Sequence, residues 1–465
     1  MMAQTTGKSQ PWQDSRPLDS AAYHSGVKVI RRVHFGIQLY LLLTEVLFLF
    51  GPWEWYIPKP VSLLVFLSSI HLLIFVAYLA SNKTFRTRAQ MKLAYWHDLP
   101  TIPFIKIAVV IGLVLAIPTS LARTGGLIPD VLGGLENVGA AYNENFERIS
   151  SGNAFVLVEY IRIILSPFLV GQLALIVFFW KLLSPGWRIG GAILVLWTTL
   201  SYVAVGTNKG IADLIILAPI FMYFAKVAQG AEAKVVFTFR NLVAAAVFIL
   251  FLIFFGQTQE LRAGGVGVNG VFYTGSNLIY ANPNALPAWV SEQWVIIYQS
   301  ITRYLTQGYQ ALALSFEVDR TTTFGIGHSF FLTDQASAIF EIDYFEDNNL
   351  PALLESRFGW SRFFTWHTAY VWFASDIGFI GTAILVGLFA YLLFQTIMRM
   401  IVAPDVLSVI IVQQLVVFFL YLPANNQVFQ NGEGIVGTLI VFLLASARNH
   451  TGIPRRSRET GRLAW

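Results

Sequence analysis

The sequence predicts an all-α polytopic membrane protein with about ten transmembrane helices and a large outer loop. Of its 465 residues, 55% are hydrophobic and only 12% are charged, which is about half the charged share of soluble globular proteins. The mean hydropathy is +0.61, and the apolar residues fall into runs close to the length that crosses a bilayer. This composition excludes a soluble enzyme and a disordered chain. The lack of cysteine excludes disulfides, thiolate metal sites and cysteine nucleophiles.

Ten apolar runs are the predicted spanning helices. They cover residues 34–50, 61–80, 101–121, 154–183, 189–205, 211–227, 237–256, 368–397, 406–421 and 434–447. The fourth run contains Pro167, which removes a backbone donor and predicts a kink. The predicted organisation is a tail (1–33), seven spans (34–256), an outer loop (257–365), three spans (366–447) and a second tail (448–465).

The distribution of basic residues predicts the orientation. Lysines and arginines cluster in both tails and in alternate connections between the runs. Because basic residues concentrate on the cytoplasmic side, both termini are expected there and the long loop outside. The net charge of +5 then reflects membrane orientation, and nucleic acid is not expected as a partner.

The long outer loop is the first functional hint, because connections of this length are usually functional. It is rich in aromatic residues and has an amphipathic segment around residues 291–317, so we expect short helices at the outer leaflet. It contains no lysine, and its arginines are Arg262, Arg303, Arg320, Arg357 and Arg362. A guanidinium binds phosphate through two parallel hydrogen bonds. The loop therefore predicts an anionic lipid-linked substrate, and the alternative is pairing with acidic residues of the same loop.

Further candidates for substrate binding come from polar residues near membrane depth. Arg162 lies inside the fourth run, where an ionised side chain is costly and marks a functional site; the alternative is a structural pair with Glu159. Lys209 occupies an outer turn, against the general charge bias, or is simply solvated there. Tyr304 and Tyr309 follow Arg303 within one polar segment.

Three residues are candidates for a general base: Asp376, Glu317 and His328. Asp376 has apolar and aromatic neighbours and needs a partner, or else it braces a broken helix. His328 follows a short glycine-containing turn and is otherwise an ordinary loop histidine. A base must lie within hydrogen-bond reach of the proton it removes. The amide-rich segments 425–427 and 430–433 suit sugar hydroxyls or form a polar loop.

Four short motifs occur in a characteristic order. They are GTNKG at 206–210, RYLTQGY at 303–309, FGIG at 324–327 and WFASDIGFIG at 372–381. With these motifs and its topology, the chain resembles the Wzy-type oligosaccharide repeat-unit (O-antigen) polymerases of bacterial inner membranes.

The resemblance implies a GT-C-like glycosyltransferase that joins polyprenyl-diphosphate-linked oligosaccharides on the outer leaflet, facing the periplasm. It implies no metal, cofactor or nucleotide sugar, and as partners a lipid-linked oligosaccharide, membrane lipid, a chain-length regulator and a flippase. Arginines would stabilise the leaving lipid diphosphate.

Two alternatives stay open. An O-antigen ligase would transfer the finished glycan to another lipid. A lipid-oligosaccharide flippase or other transporter would move the substrate without forming new bonds, and would be expected to show internal repeats and charged groups near the bilayer midplane. No such repeat is evident in the sequence.

Overall fold

The computed structural model describes residues 20–90, 101–150, 156–232, 239–262 and 270–450, which are predominantly helical. The helices that precede the long loop are α1 (Ser20–Phe50), α2 (Pro60–Gln90), α3 (Thr101–Thr124), α4 (Val131–Glu136), α5 (Val138–Ser150), α6 (Val156–Ile164), α7 (Ser166–Leu169), α8 (Gln172–Phe178), α9 (Pro185–Ala204), α10 (Lys209–Ala228) and α11 (Phe239–Arg262). The later helices are α12 (Glu292–Ser315), α13 (Phe330–Phe340), α14 (Tyr344–Asp347), α15 (Leu350–Phe358), α16 (Ala369–Val402), α17 (Val406–Tyr421) and α18 (Gly432–His450). A 3₁₀ turn at Trp180–Leu182 follows α8.

Several helices are suited to a bilayer. In the described part of the chain, six are long and apolar enough to cross a membrane: Ala22–Phe50, Pro60–Phe85, Thr101–Thr124, Pro185–Ala204, Lys209–Ala228 and Ala369–Val402. A bent pair adds a seventh if it forms one span, and three shorter apolar helices cover Ala245–Thr258, Val406–Tyr421 and Gly432–Ala447. Large apolar side chains remain exposed along these helices, as expected of lipid-facing surfaces. The prediction of an all-α polytopic membrane protein is confirmed.

The fourth predicted span is broken at the predicted place. α6 and the segment Ser166–Phe178 meet at 75°, and Pro167 lies in the first turn after the break. A break at membrane depth frees backbone groups that need partners. The Gln413 side chain of α17 is such a partner: it donates to the Val170 carbonyl (2.8 Å) and accepts from the Ala174 N–H (2.9 Å).

The core of the bundle is built around α16, which packs against α2, α17 and α1. Trp372, Tyr370 and Phe394 of α16 are fully buried there. α17 begins at a capping box in which the Asp405 carboxylate accepts from the Ser408 N–H, and Asp405 also pairs with Arg399 at the end of α16 (2.8 Å). This fixes the angle between the two helices at one end of the bundle.

The long loop folds over the other end, which we call the loop end. It comprises α12, α13, α14 and α15 together with two antiparallel strands, β1 (Val271–Tyr273) and β2 (Leu278–Tyr280). The segment predicted at 291–317 as a short amphipathic helix at the outer leaflet is α12, a helix of 24 residues that is largely buried against α11 and α1. The hairpin was not predicted; its Phe272 packs with Trp53, Trp55 and Trp360, so aromatic packing holds the strands on the bundle.

Candidate functional site

The site is built on a kink near the start of α16. Gly378 has φ 70° and ψ 173°, a conformation that side-chain-bearing residues rarely adopt. The kink frees carbonyls of the preceding turn, and the chain beside it supplies donors. Thr323 donates its N–H to the Ser375 carbonyl (3.1 Å), and the Thr322 hydroxyl donates to the Asp376 carbonyl (2.8 Å). The segment 322–328 is thereby fastened to the kink.

The Asp376 carboxylate binds the same segment, and the Asp376 side chain is 3% exposed. The Thr323 hydroxyl (2.5 Å) and the N–H groups of Gly325 (2.9 Å) and Gly327 (3.0 Å) donate to Oδ1. His328 donates its backbone N–H (3.1 Å) and its ring Nδ1–H (2.8 Å) to Oδ2. Because five hydrogen bonds occupy its lone pairs, Asp376 is poorly placed to receive a substrate proton.

The backbone of the segment explains why its amides converge on one carboxylate. Phe324 and Gly325 both have positive φ, 55° and 88°, so successive N–H groups turn toward one point and form a concave anion site. A Cβ on Gly327 would collide with the Thr323 hydroxyl. The FGIG motif therefore forms the backbone cradle of Asp376.

The His328 ring is held in one orientation. Since a carboxylate only accepts hydrogen bonds, Nδ1 carries the ring proton and Nε2 is left with a lone pair. The ring stacks on Phe373 at 5.0 Å between centroids, and the Asn426 amide donates to the His328 carbonyl (2.8 Å). The side chain is 13% exposed, and no described residue hydrogen-bonds Nε2. The arrangement matches a general base with its orienting carboxylate.

Arg320 lies at the same kink. The position of a Cβ on Gly378 would be 3.1 Å from Nη2 of Arg320, so the guanidinium rests on the glycine. The Arg320 side chain is exposed, and no described residue forms an ion pair with it. His328 and Arg320 thus contact the same kinked turn of α16, His328 at Asp376 and Arg320 at Gly378.

Arg303 lies elsewhere, buried beneath the hairpin. It is 9% exposed, and its guanidinium stands 5.3 Å from the centroid of the Phe272 ring. Burial lowers the pKa of Arg303 to about 10, so the group stays charged at neutral pH. No carboxylate among the described residues pairs with it, and the aromatic face is its observed partner.

Two other predicted cations have partners. Arg162 forms an ion pair with Glu433 at the start of α18 (2.6 Å) and donates to Thr119 (3.0 Å); the alternative pairing with Glu159 is wrong. Lys209 pairs with Asp213 one turn along α10. Both pairs tie polar side chains into apolar helices, and a substrate contact for either cation stays a prediction.

The remaining predicted site residues make contacts that stabilise the fold away from the kink, except Arg262, whose side chain is not described. Glu317 pairs with Lys59 (3.3 Å), and no hydrogen bond among the described residues joins it to the kink. Tyr304 packs edge-on against aromatic rings of α11 and of the segment before α16. Tyr309 is fully buried, and its hydroxyl hydrogen-bonds Thr44 (3.0 Å). The side chain of Arg262, the last residue of α11, lies outside the described residues.

His367, two residues before α16, gives a prediction on stability. Burial lowers its pKa from the ordinary 6.5 to about 3. Between these values the unfolded chain binds a proton that the folded chain does not, so stability falls as pH falls, by about 1.4 kcal/mol per unit. We expect His367→Asn to weaken this acid sensitivity, seen as a smaller drop in Tm from pH 7 to pH 5. An equal drop in both proteins would contradict the buried neutral imidazole.

Sequence reasoning missed the residues that organise the site. Thr322 and Thr323 belong to none of the four motifs, although they fasten the segment to the kink. The signal that was present is the proximity of FGIG to His328. No family model, no curated protein and no solved structure matches the chain. The chemistry of the site is therefore the basis for proposing a function.

Proposed function

We propose that the chain is a membrane glycosyltransferase that polymerises polyprenyl-diphosphate-linked oligosaccharide repeat units on the outer leaflet of the bacterial inner membrane. The proposal includes ten spans in a GT-C-like arrangement, cytoplasmic termini and a periplasmic site at the loop end. The observation that carries it is that the His328–Asp376 pair and the Arg320 guanidinium contact the same kink of α16, at Asp376 and at Gly378. A base and an anion-binding group at one place are what this transfer needs.

The base is His328 rather than Asp376. Its Nε2 takes the proton of an acceptor sugar hydroxyl, and the oxygen attacks the anomeric carbon of the donor sugar. The bond from that carbon to the diphosphate oxygen breaks, and the diphosphate leaves with the electron pair. Asp376 keeps Nδ1 protonated, orients the ring and stabilises the imidazolium that forms.

Arg320 is the proposed contact of the leaving group. Its guanidinium offers two parallel donors to phosphate oxygens. The second part of α16 begins directly after Gly378, so the positive end of its dipole lies beside the same guanidinium. Arg303, charged and without a carboxylate partner, stays a second predicted substrate contact. The proposed partners are the lipid-linked oligosaccharide, membrane lipid, a chain-length regulator and a flippase.

The phosphate role of Arg320 predicts a graded loss. We expect Arg320→Ala to lower turnover about 10²-fold, the effect of removing one donor to a developing negative charge. Arg320→Lys should recover only part, because an ammonium lacks the two-pronged geometry. Arg357→Lys is the matched control, since Arg357 lies against the Phe358 ring and donates to a backbone carbonyl. Wild-type turnover in Arg320→Lys would contradict the two-pronged contact.

The product formed in vesicles tests the function itself. The purified chain is reconstituted with lipid-linked repeat units, and the products are separated by size. A ladder of lengthening glycans supports a polymerase. Transfer of glycan to a different lipid identifies a ligase, and movement across the bilayer without new bonds identifies a transporter. Either of the last two results would overturn the proposal.

A further inference from the structure

A second acid–base pair lies inside the membrane, away from the kink. Glu45 lies five residues before the end of α1, and His71 eleven residues after the start of α2. At 1.5 Å per residue their backbones lie about 8 Å and about 17 Å inside the helix ends, within a hydrocarbon core about 30 Å thick. Glu45 is 8% exposed, and both its oxygens are 3.1 Å from Nε2 of His71.

Gln38 fixes the protonation of one side of the His71 ring. Its amide nitrogen donates to the His71 backbone carbonyl (2.9 Å), so its amide oxygen must face Nδ1. Nδ1 therefore carries a proton and donates it to Gln38. The other nitrogen, Nε2, faces the Glu45 carboxyl, so a single proton lies between an imidazole and a carboxylate.

That proton can lie on either group, and the total charge of the pair is the same in both cases. It resides on Nε2, giving an imidazolium and a carboxylate, or on Glu45, giving a neutral imidazole and a carboxylic acid. Both forms keep the pair neutral, which avoids the cost of a lone charge at this depth. Loss of the proton leaves one negative charge, and gain of a second leaves one positive charge.

The cation distinguishes this pair from the other ion pairs found in apolar helices. Arg162–Glu433 and Lys209–Asp213 contain an arginine and a lysine, which keep their protons across the physiological range. Histidine is the side chain that changes charge near neutral pH. The pair His71–Glu45 is therefore suited to exchange a proton, whereas the other two are permanent ion pairs.

The groups around the pair are uncharged. Tyr309 of α12 and Tyr370 of α16 lie near the Glu45 carboxyl, and Tyr40 of α1 donates to a backbone carbonyl (2.6 Å). On the other side, His34 approaches the Gln38 amide (3.4 Å) and stacks on the ring of Tyr78. No lysine or arginine among the described residues pairs with Glu45, so His71 is the cation that can balance the negative charge of the Glu45 carboxylate.

We propose that Glu45 and His71 form an exchangeable proton-binding site inside the membrane, and that the proton is its ligand. A site of this kind is typical of membrane proteins that relay or sense protons. Thr44, next to Glu45, hydrogen-bonds Tyr309 of α12 (3.0 Å), and α12 leads to Arg320. The pair therefore lies next to a contact between α1 and α12.

Infrared spectroscopy of the full chain in lipid vesicles tests the site. The signal is the C=O stretch of a protonated carboxyl, recorded over a pH series in H₂O and D₂O. We expect a band in the wild type that changes with pH and is lost in Glu45→Gln. In His71→Gln or His71→Asn the buried carboxyl has no cation and must hold a proton, so the band should persist without changing across neutral pH.

Ser69→Ala is the matched control. Ser69 is two residues from His71, and its hydroxyl donates to the Phe66 carbonyl of its own helix (2.6 Å), so its spectrum should equal that of the wild type. Two results would overturn the proposal. One is a wild type whose spectrum matches Glu45→Gln at every pH. The other is a carboxyl band that has the same pH dependence in the His71 variants as in the wild type. Either result would mean that the pair of Glu45 and His71 only stabilises the structure.

Discussion

The expected result for His328→Ala is a fall in turnover of about 10²–10⁴-fold with normal insertion and substrate binding. A positioned general base contributes this much, and Nε2 of His328 is the group left free to accept a proton. The pair with Asp376 (2.8 Å) and the stacking on Phe373 hold the ring in one orientation. Added imidazole should restore part of the turnover, because a small base can enter the space that the side chain leaves.

His24→Ala is the control, since it removes an exposed histidine near the start of α1. Turnover is measured as lipid-linked substrate consumed by reconstituted protein, with binding measured separately. Near-normal turnover in well-inserted His328→Ala would exclude the base role. Loss without any recovery in imidazole, together with weaker substrate binding, would assign His328 to the structure of the loop instead.

Asp376→Asn should have an effect of similar or larger size. An amide has one acceptor oxygen where the carboxylate has two, so its NH₂ group must face either the 323–327 donors or His328. If it faces His328, it donates to Nδ1, the ring proton moves to Nε2, and the base is lost. The same replacement in serine-protease triads, a worked example of this effect, lowers turnover about 10⁴-fold.

Asp319→Asn is the control for this change, since Asp319 is exposed and lies in the same loop. If the orienting role is right, Asp376→Asn lowers kcat much more than it raises KM. A variant that turns over normally would show that Asp376 only braces the kink. Failure to insert would give the same answer, because the hydrogen bonds to the 322–328 segment would then be its whole contribution.

Composition and hydropathy predict the fold class well because a span needs only a long apolar run. The break at Pro167 is also predictable from the sequence, since a proline removes a backbone donor wherever it stands. The hairpin of residues 271–280 escapes prediction because its strands have three residues each and are held by packing on Trp53 and Trp360. Such short strands have no periodicity of their own.

The site was predicted as a set of residues and not as an arrangement. Asp376 and His328 are separated by 48 residues, and both were equal candidates for the base from sequence alone. Which of the two is the base depends on whether the Asp376 lone pairs already accept hydrogen bonds. They do so because the bend at Gly378 places the 322–328 segment against Asp376. The pair of Glu45 and His71 escaped notice because each lies singly in an apolar run.

The most direct measurement is the formation of sugar-free polyprenyl diphosphate in vesicles that contain only this chain and lipid-linked repeat units. Each new glycosidic bond must release one lipid diphosphate, since that group is the proposed leaving group. We expect release and new bonds in equal amounts in the wild type, and neither above background in His328→Ala. Glycan growth without release, or substrate movement without either, would contradict the proposed glycosyl transfer.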